Sequence, residues 1–233
     1  MYFSKQLLEE VVAANKALAA SGLAPLTWGN ASGYDHVRGF VAIKPSGVPY
    51  DELTPESMVV VDLDGKKVEG DLKPSMDLKT HLEIYKAFPH VRGVVHTHSK
   101  YATSFAQAGQ GLECYGTTHA DYFNGTVPCV PSPSVDVVNE DYELGTGCSI
   151  VSYFQFHDID SKQVPAALVK NHGPFAWGKG PMDAYQNALV LELCAEMAIH
   201  SLALQPDLEA IPNYLLKKHQ TRKHGPDAYY GQK

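Results

Sequence analysis

The strongest chemical signal in the chain is Gly93-Val-Val-His96-Thr97-His98-Ser99. The apolar run from Val91 to His98 reads as a buried strand, and alternate strand residues share a face, so the two imidazoles point together. Two neutral imidazoles at that spacing can chelate one divalent ion. They could equally be a hydrogen-bonded pair at a strand end. Asn171-His172-Gly173 sets a third histidine just beyond a second apolar strand pattern, Ala166 to Lys170. Three histidines leave coordination positions open, as catalytic rather than closed structural sites do. Spacing alone does not bring His172 to the other two. Asp77 opens a helical pattern, where it is either a charge favoured by the helix dipole or a ligand. His81, one turn on, shares its face and the same choice of readings.

Other segments suit an anion or a proton transfer. Trp28-Gly29-Asn30, Lys44-Pro45-Ser46-Gly47 and Lys73-Pro74-Ser75 are turns that offer backbone N–H groups, hydroxyls and, in Lys44, a point charge. Gly116-Thr117-Thr118-His119-Ala120-Asp121-Tyr122 is polar enough for an active-site loop, in which Asp121 is an acid/base group or a cap. The basic run Lys217, Lys218, Arg222, Lys223 reads as a solvated helix face. Tyr229 and Tyr230 lie near the end of the chain, as a frayed tail or as docking residues for a neighbouring subunit.

The elements that would position these groups follow from periodicity. Leu7, Leu8, Val11 and Val12 recur at helical spacing after Ser4, and Gly22 offers a stop. Residues 27–33 read as a small-residue loop. Phe40 to Lys44 and Met58 to Asp62 read as strands, with a hairpin at Asp64-Gly65 into Lys67-Val68. Helices are expected over 77–88, 99–108, from about 138, over 181–204 with Pro181 in its first turn, and from 213 to about 224. Interleaved helices and strands with hairpin signals predict a single α/β domain over 1–233. It is expected to have three layers, with a largely antiparallel or mixed central sheet flanked by helices.

Composition bounds the function classes. Hydrophobic content of 44% and charged content of 19% are those of a folded domain rather than a disordered chain. A net charge of −7 argues against nucleic acid as the main partner. The four cysteines stand far apart without a CxxC pair, which excludes a cysteine zinc site and a disulfide scaffold. No signal-peptide pattern is read at the N-terminus and no apolar stretch approaching 18 residues is read in the chain, so a cytoplasmic protein without a membrane role is expected. The absence of HExxH sets aside a zinc hydrolase.

Eight blocks in order then carry a resemblance: TWGN (27–30), IKPSG (43–47), KPSMD (73–77), VVHTHS (94–99), AQAGQ (106–110), GTTHADYF (116–123), NHGPFAWGK (171–179) and RKHG…AYYGQ (222–232). Over nearly its whole length the chain resembles the L-ribulose-5-phosphate 4-epimerases, relatives of the class II L-fuculose-phosphate aldolases. The resemblance implies a class II aldolase-like fold. It implies that His96, His98 and His172 bind Zn2+, or Mn2+ or Co2+, with Asp77 beside or on the metal. It implies that Gly29, Asn30, Lys44, Ser46, Gly47, Ser75 and Met76 line the substrate phosphate site, with Thr117, Glu143 and His219 supporting the substrate. Asp121 and Tyr230 are implied as the acid/base pair, Tyr230 completing a neighbour's site in a homotetramer. One departure stands out: the family carries two serines before the aspartate, and here the second is Met76, which can offer an anion only its backbone N–H.

The implied reaction inverts C4 of a pentulose 5-phosphate, L-ribulose 5-phosphate to D-xylulose 5-phosphate, in carbohydrate breakdown such as that of arabinose. The C3–C4 bond breaks to an enediolate and glycolaldehyde phosphate, the aldehyde turns, and the bond re-forms on its other face. An L-fuculose-phosphate-type aldolase is the rival. Such aldolases carry glutamate where this chain has Asp77, and the shorter acid leaves room for the aldehyde to turn.

Overall fold

A computed structural model describes residues 4–223 together with 228 and 229. Eight strands form one sheet in the order β4-β3-β2-β1-β5-β8-β7-β6. They are β1 (Asn30–Asp35), β2 (Phe40–Ile43), β3 (Val59–Asp62), β4 (Lys67–Glu69), β5 (Gly93–His96), β6 (Cys129–Val130), β7 (Ala166–Val169) and β8 (Gly173–Gly178). Every pairing is antiparallel except β6 with β7, so the sheet is mixed, as the hairpin signals predict. The helices are α1 (Lys5–Ala20), α2 (Leu78–Ala87), α3 (Lys100–Ala108), α4 (Thr117–Ala120), α5 (Val135–Phe156), α6 (Pro181–Leu204) and α7 (Asn213–Lys223).

The layering shows in two adjacent residues of β1. The Ser32 hydroxyl bonds His81 and Tyr85 of α2 on one face. At Gly33 a Cβ would lie within 3 Å of Leu7, Val11 and Pro181, because α1 and α6 press on the other face. This contact explains a correction to the sequence reading. Residues 30–33 are not loop but strand, and their small side chains reflect two helices packed directly on the sheet. The NHGPFAWGK block contains β8, a strand that the sequence reading did not assign, buried along its length between β5 and β7. Its Gly and Pro mark close packing rather than a turn: a Cβ on Gly173 would sit 2.7 Å from the Thr97 carbonyl.

α1 begins where expected, with Ser4 as its N-cap accepting from Leu7 N–H. α5 begins three residues earlier than its apolar pattern indicates, capped by Ser134, and it is broken at Asp141. α6 is a second correction, since with 24 residues it is long and apolar enough by composition to span a membrane. It is a core helix here, burying Ala184, Ala188, Leu191, Ala195 and Ala198 against the sheet side of the fold. All four cysteines are free.

Candidate active site

The sheet delivers the three histidines to one end. β5 ends at His96, and β8 pairs with it so that His96 stands opposite Phe175. His172 therefore lies in the turn between β7 and β8 beside the end of β5. Among the described residues, His96, His98 and His172 form a compact ligand group, with one donor atom from each within 4.8 Å of the others.

Their hydrogen bonds decide which nitrogens meet. His96 Nδ1 lies 3.0 Å from the Pro174 carbonyl oxygen, and its ring stacks on Phe175 at 4.2 Å between centroids. His172 Nδ1 lies 3.0 Å from the Tyr142 hydroxyl. Both rings thus have Nδ1 engaged and Nε2 left to face inward, where His96 Nε2 and His98 Nε2 come within 3.1 Å. Burial first, then the neighbouring His96, holds His172 well below the ordinary imidazole value, and burial does the same for His98. Neutral imidazoles converging through Nε2 are a donor set that fits a divalent transition ion.

Asp77 lies beside this group rather than within it. Its Oδ2 accepts from Asn30 Nδ2 at 2.7 Å, and the same amide donates to Ser75 Oγ at 2.8 Å. Burial alone would raise the Asp77 carboxyl, but the charges of His96 and His81 and the Asn30 bond outweigh it and hold it below the usual carboxylate range. His81 does not join the triad. It is fully buried with Nδ1 on Ser32 Oγ at 2.7 Å. Asn30 Oδ1 is buried with no partner among the described residues.

The two Pro-Ser turns are zipped together beside Asn30. Ser46 N–H donates to the Lys73 carbonyl and Ser75 N–H to the Lys44 carbonyl, both at 3.0 Å, around a Pro45–Pro74 bridge. These two backbone donors therefore serve the fold, and the Ser75 hydroxyl, besides accepting from Asn30, lies 3.5 Å from Asp77 Oδ2. Gly47 holds φ of +71°, which is why glycine stands at that turn. Gly29 packs against the His96 carbonyl, where a Cβ would come within 2.6 Å. Lys44 is 2% exposed, its ammonium over the Tyr50 ring and depressed below the ordinary lysine value by burial. Met76 is 69% exposed, with its side chain turned out from this packed cluster.

The remaining predicted residues gather elsewhere. Asp121 ends α4, the short helix that Thr117 opens, where the sequence reads as loop. Its carboxylate is gripped from α7: Oδ1 accepts from Arg222 Nε at 2.9 Å and meets His219 Nδ1 at 2.9 Å, and Oδ2 pairs with Arg222 Nη2. Lys223 stands 4.0 Å from the same carboxylate and 4.0 Å above the Tyr122 ring. Burial would raise Asp121, but the Arg222 and His219 bonds and the Lys223 charge hold it below its ordinary value. The basic run thus divides. Lys217 and Lys218 face solvent as expected, whereas Arg222 and Lys223 turn inward, a role that no local pattern signals across 101 residues of chain.

This second cluster borders a cavity of about 540 Å³ whose wall includes Asp121, Tyr122, Trp177, Gly178, Lys179 and Lys223. Gly178 and Lys179 are at the far end of β8 from His172, roughly 20 Å along the strand. Glu143 belongs to the triad side, one residue after Tyr142, with its carbonyl held by Thr80 Oγ1 at 2.6 Å. Tyr142 itself is the site residue that sequence reasoning missed, hidden inside a helical pattern. Tyr230 lies outside the described residues.

Comparison with known proteins agrees with this architecture. Residues 9–199 match the class II aldolase and adducin N-terminal domain family. Over 229 residues, 98% of this chain and 100% of the relative, the sequence is 48% identical to L-ribulose-5-phosphate 4-epimerase UlaF of Salmonella paratyphi C (strain RKS4594). Among solved structures, an L-fuculose 1-phosphate aldolase superposes with a TM-score of 0.78 at 22% identity, covering 93% of this chain and 95% of its own. YgbL from Klebsiella pneumoniae gives 0.74 at 25% identity, covering 94% of this chain and 100% of its own.

Proposed function

We propose, from the premise that this chain belongs to the class II aldolase family, that it is an L-ribulose-5-phosphate 4-epimerase acting through a divalent metal at His96, His98 and His172. The observation that carries the reading is the convergence of three histidine side chains beside the Asn30–Ser75–Asp77 cluster, in a chain 48% identical along its length to a named epimerase. The metal is zinc, or manganese or cobalt on the same ligands. When bound, it supplies a positive charge that stabilises negative charge on the substrate's C2 and C3 oxygens.

The chain's own residues supply the rest. The Ser46 and Ser75 hydroxyls, with Gly47 and Lys44 behind them, take the phosphate, and Asn30 braces Ser75. Asp77, fixed by Asn30, contributes a short carboxylate that leaves the freed aldehyde room to turn. Asp121, with Thr117 and His219 around it, and Tyr230 exchange protons at the C4 oxygen on opposite faces. Asp121 faces a cavity walled by the far end of β8, so a site that uses both Asp121 and the triad draws them from two copies of the chain. A homotetramer in the cytoplasm is the assembly we infer, acting in pentose breakdown such as that of arabinose.

Inverting C4 of L-ribulose 5-phosphate gives D-xylulose 5-phosphate, whereas L-xylulose 5-phosphate differs from the substrate at C3 and is not a product of this chemistry. The test is product analysis after incubation of the metal-loaded protein with L-ribulose 5-phosphate. D-xylulose 5-phosphate as the accumulating product supports the epimerase. Accumulating dihydroxyacetone and glycolaldehyde phosphate would instead establish the aldolase.

A further inference from the structure

His96 and His172 enter the triad with unequal support. His96 is the last residue of a strand paired on both sides, and its ring is clamped between Phe175 and the Pro174 carbonyl. His172 stands outside any strand, in the turn between β7 and β8, next to Asn171 with φ of +61°. Its Nδ1 contact is Tyr142. We propose that Tyr142 is a positioning residue for the metal centre, fixing the His172 ring through Nδ1, and that the break in α5 at Asp141 exists to deliver it. This inference rests on reading the triad as a metal site.

The break is a built feature. Asp141 has extended backbone angles (φ −162°, ψ 92°) inside α5, and its Oδ1 accepts from Leu144 N–H at 3.2 Å. It thereby acts as the N-cap of a second helical segment that begins at Tyr142. The other carboxylate oxygen, Oδ2, pairs with Lys79 of α2. Thr80, also on α2, donates to the Glu143 carbonyl, and Thr146 donates to the Tyr142 carbonyl at 2.9 Å. Gly147 allows the close approach, because a Cβ there would stand 2.8 Å from Glu83 Cβ and 3.1 Å from Thr80 Cα.

The N-terminus of α2 carries Asp77, so the carboxylate beside the triad and the tyrosine behind it are seated on one rigid pair of helices. With Nε2 left to hold a metal, His172 Nδ1–H would donate to the Tyr142 oxygen, fixing the tautomer and the ring plane together.

The test compares wild type, Tyr142→Phe and the surface variant Lys79→Met by competition with a chelator for Zn2+ and by the absorption spectrum of the Co2+-loaded protein. Tyr142→Phe keeps the ring and removes one oxygen. It is expected to weaken Zn2+ binding about 10- to 100-fold and to change the Co2+ spectrum, with thermal melting of the metal-free protein little changed. Lys79→Met, which loosens the break without touching the phenol, is expected to weaken binding in the same direction by a smaller factor. Zn2+ affinity in Tyr142→Phe within about twofold of wild type, with an unaltered Co2+ spectrum, overturns the inference while leaving the metal centre standing. Wild-type protein that binds neither ion overturns the metal centre, and this inference with it.

Discussion

At the triad end, side chains are held by the sheet: His96 closes a central strand, its ring rests on Phe175, and its Nδ1 meets the Pro174 carbonyl, as His172 Nδ1 meets the Tyr142 hydroxyl. At the α4–α7 face, Asp121 is held by charge, with Arg222, His219 and Lys223 surrounding one carboxylate. In the first region burial pushes His98 and His172 below the ordinary imidazole value, toward the neutral form that a metal ligand needs. The second keeps a carboxylate ionised by surrounding it with cations.

Substitutions that separate the two regions test this contrast. His96→Ala removes a ligand and a core ring, and kcat/KM for C4 inversion is expected to fall by about 10³-fold or more, with bound metal lost in parallel. Metal analysis beside steady-state kinetics checks both. Asp121→Asn is expected to lower kcat by about 10²-fold while metal content stays at the wild-type level. If it loses metal as well, the two regions are one cluster and the contrast fails.

Acid separates them more gently. The folded-state value of His81 is depressed to about 3, chiefly by burial. Because the unfolded chain binds that proton first, the metal-free fold loses stability as pH falls from about 6.5 toward 3, by about 2 kcal/mol at pH 5 for a fully buried histidine. Asp121 is depressed from its ordinary value near 3.8, so its contribution is present above that value and is lost only as pH falls below it. Urea melts of the metal-free protein at pH 7, 5 and 3.5 are expected to show the histidine loss first. Equal stability at pH 7 and pH 5 would mean that His81 does not sit neutral in the fold.

The same contrast governs what could be read without coordinates. His96 and His98 stand out because a period of two at the end of an apolar run points both imidazoles to one side, as a metal pair or a hydrogen-bonded pair, and α1 and α6 stand out through helical spacing. β1 and β8 are obscured because their Gly, Ser, Ala and Pro residues answer to helices and carbonyls pressed against them, which mimics loop composition. The break at Asp141 is silent because both halves of α5 share a helical pattern. The grip of Arg222 on Asp121 joins residues 101 apart, and nothing local distinguishes Arg222 from the solvated Lys218 one turn earlier.

Within one chain the triad and Asp121 border different spaces, and the account joins them across two copies. The direct measurement is turnover of L-ribulose 5-phosphate by an assembly in which His96→Ala and Asp121→Asn chains are co-refolded, against each variant refolded alone. The mixture is expected to form D-xylulose 5-phosphate in a metal-dependent way well above the residual rate of the Asp121→Asn parent, because some sites then pair an intact triad with an intact Asp121. A properly mixed assembly no more active than its parents would contradict it.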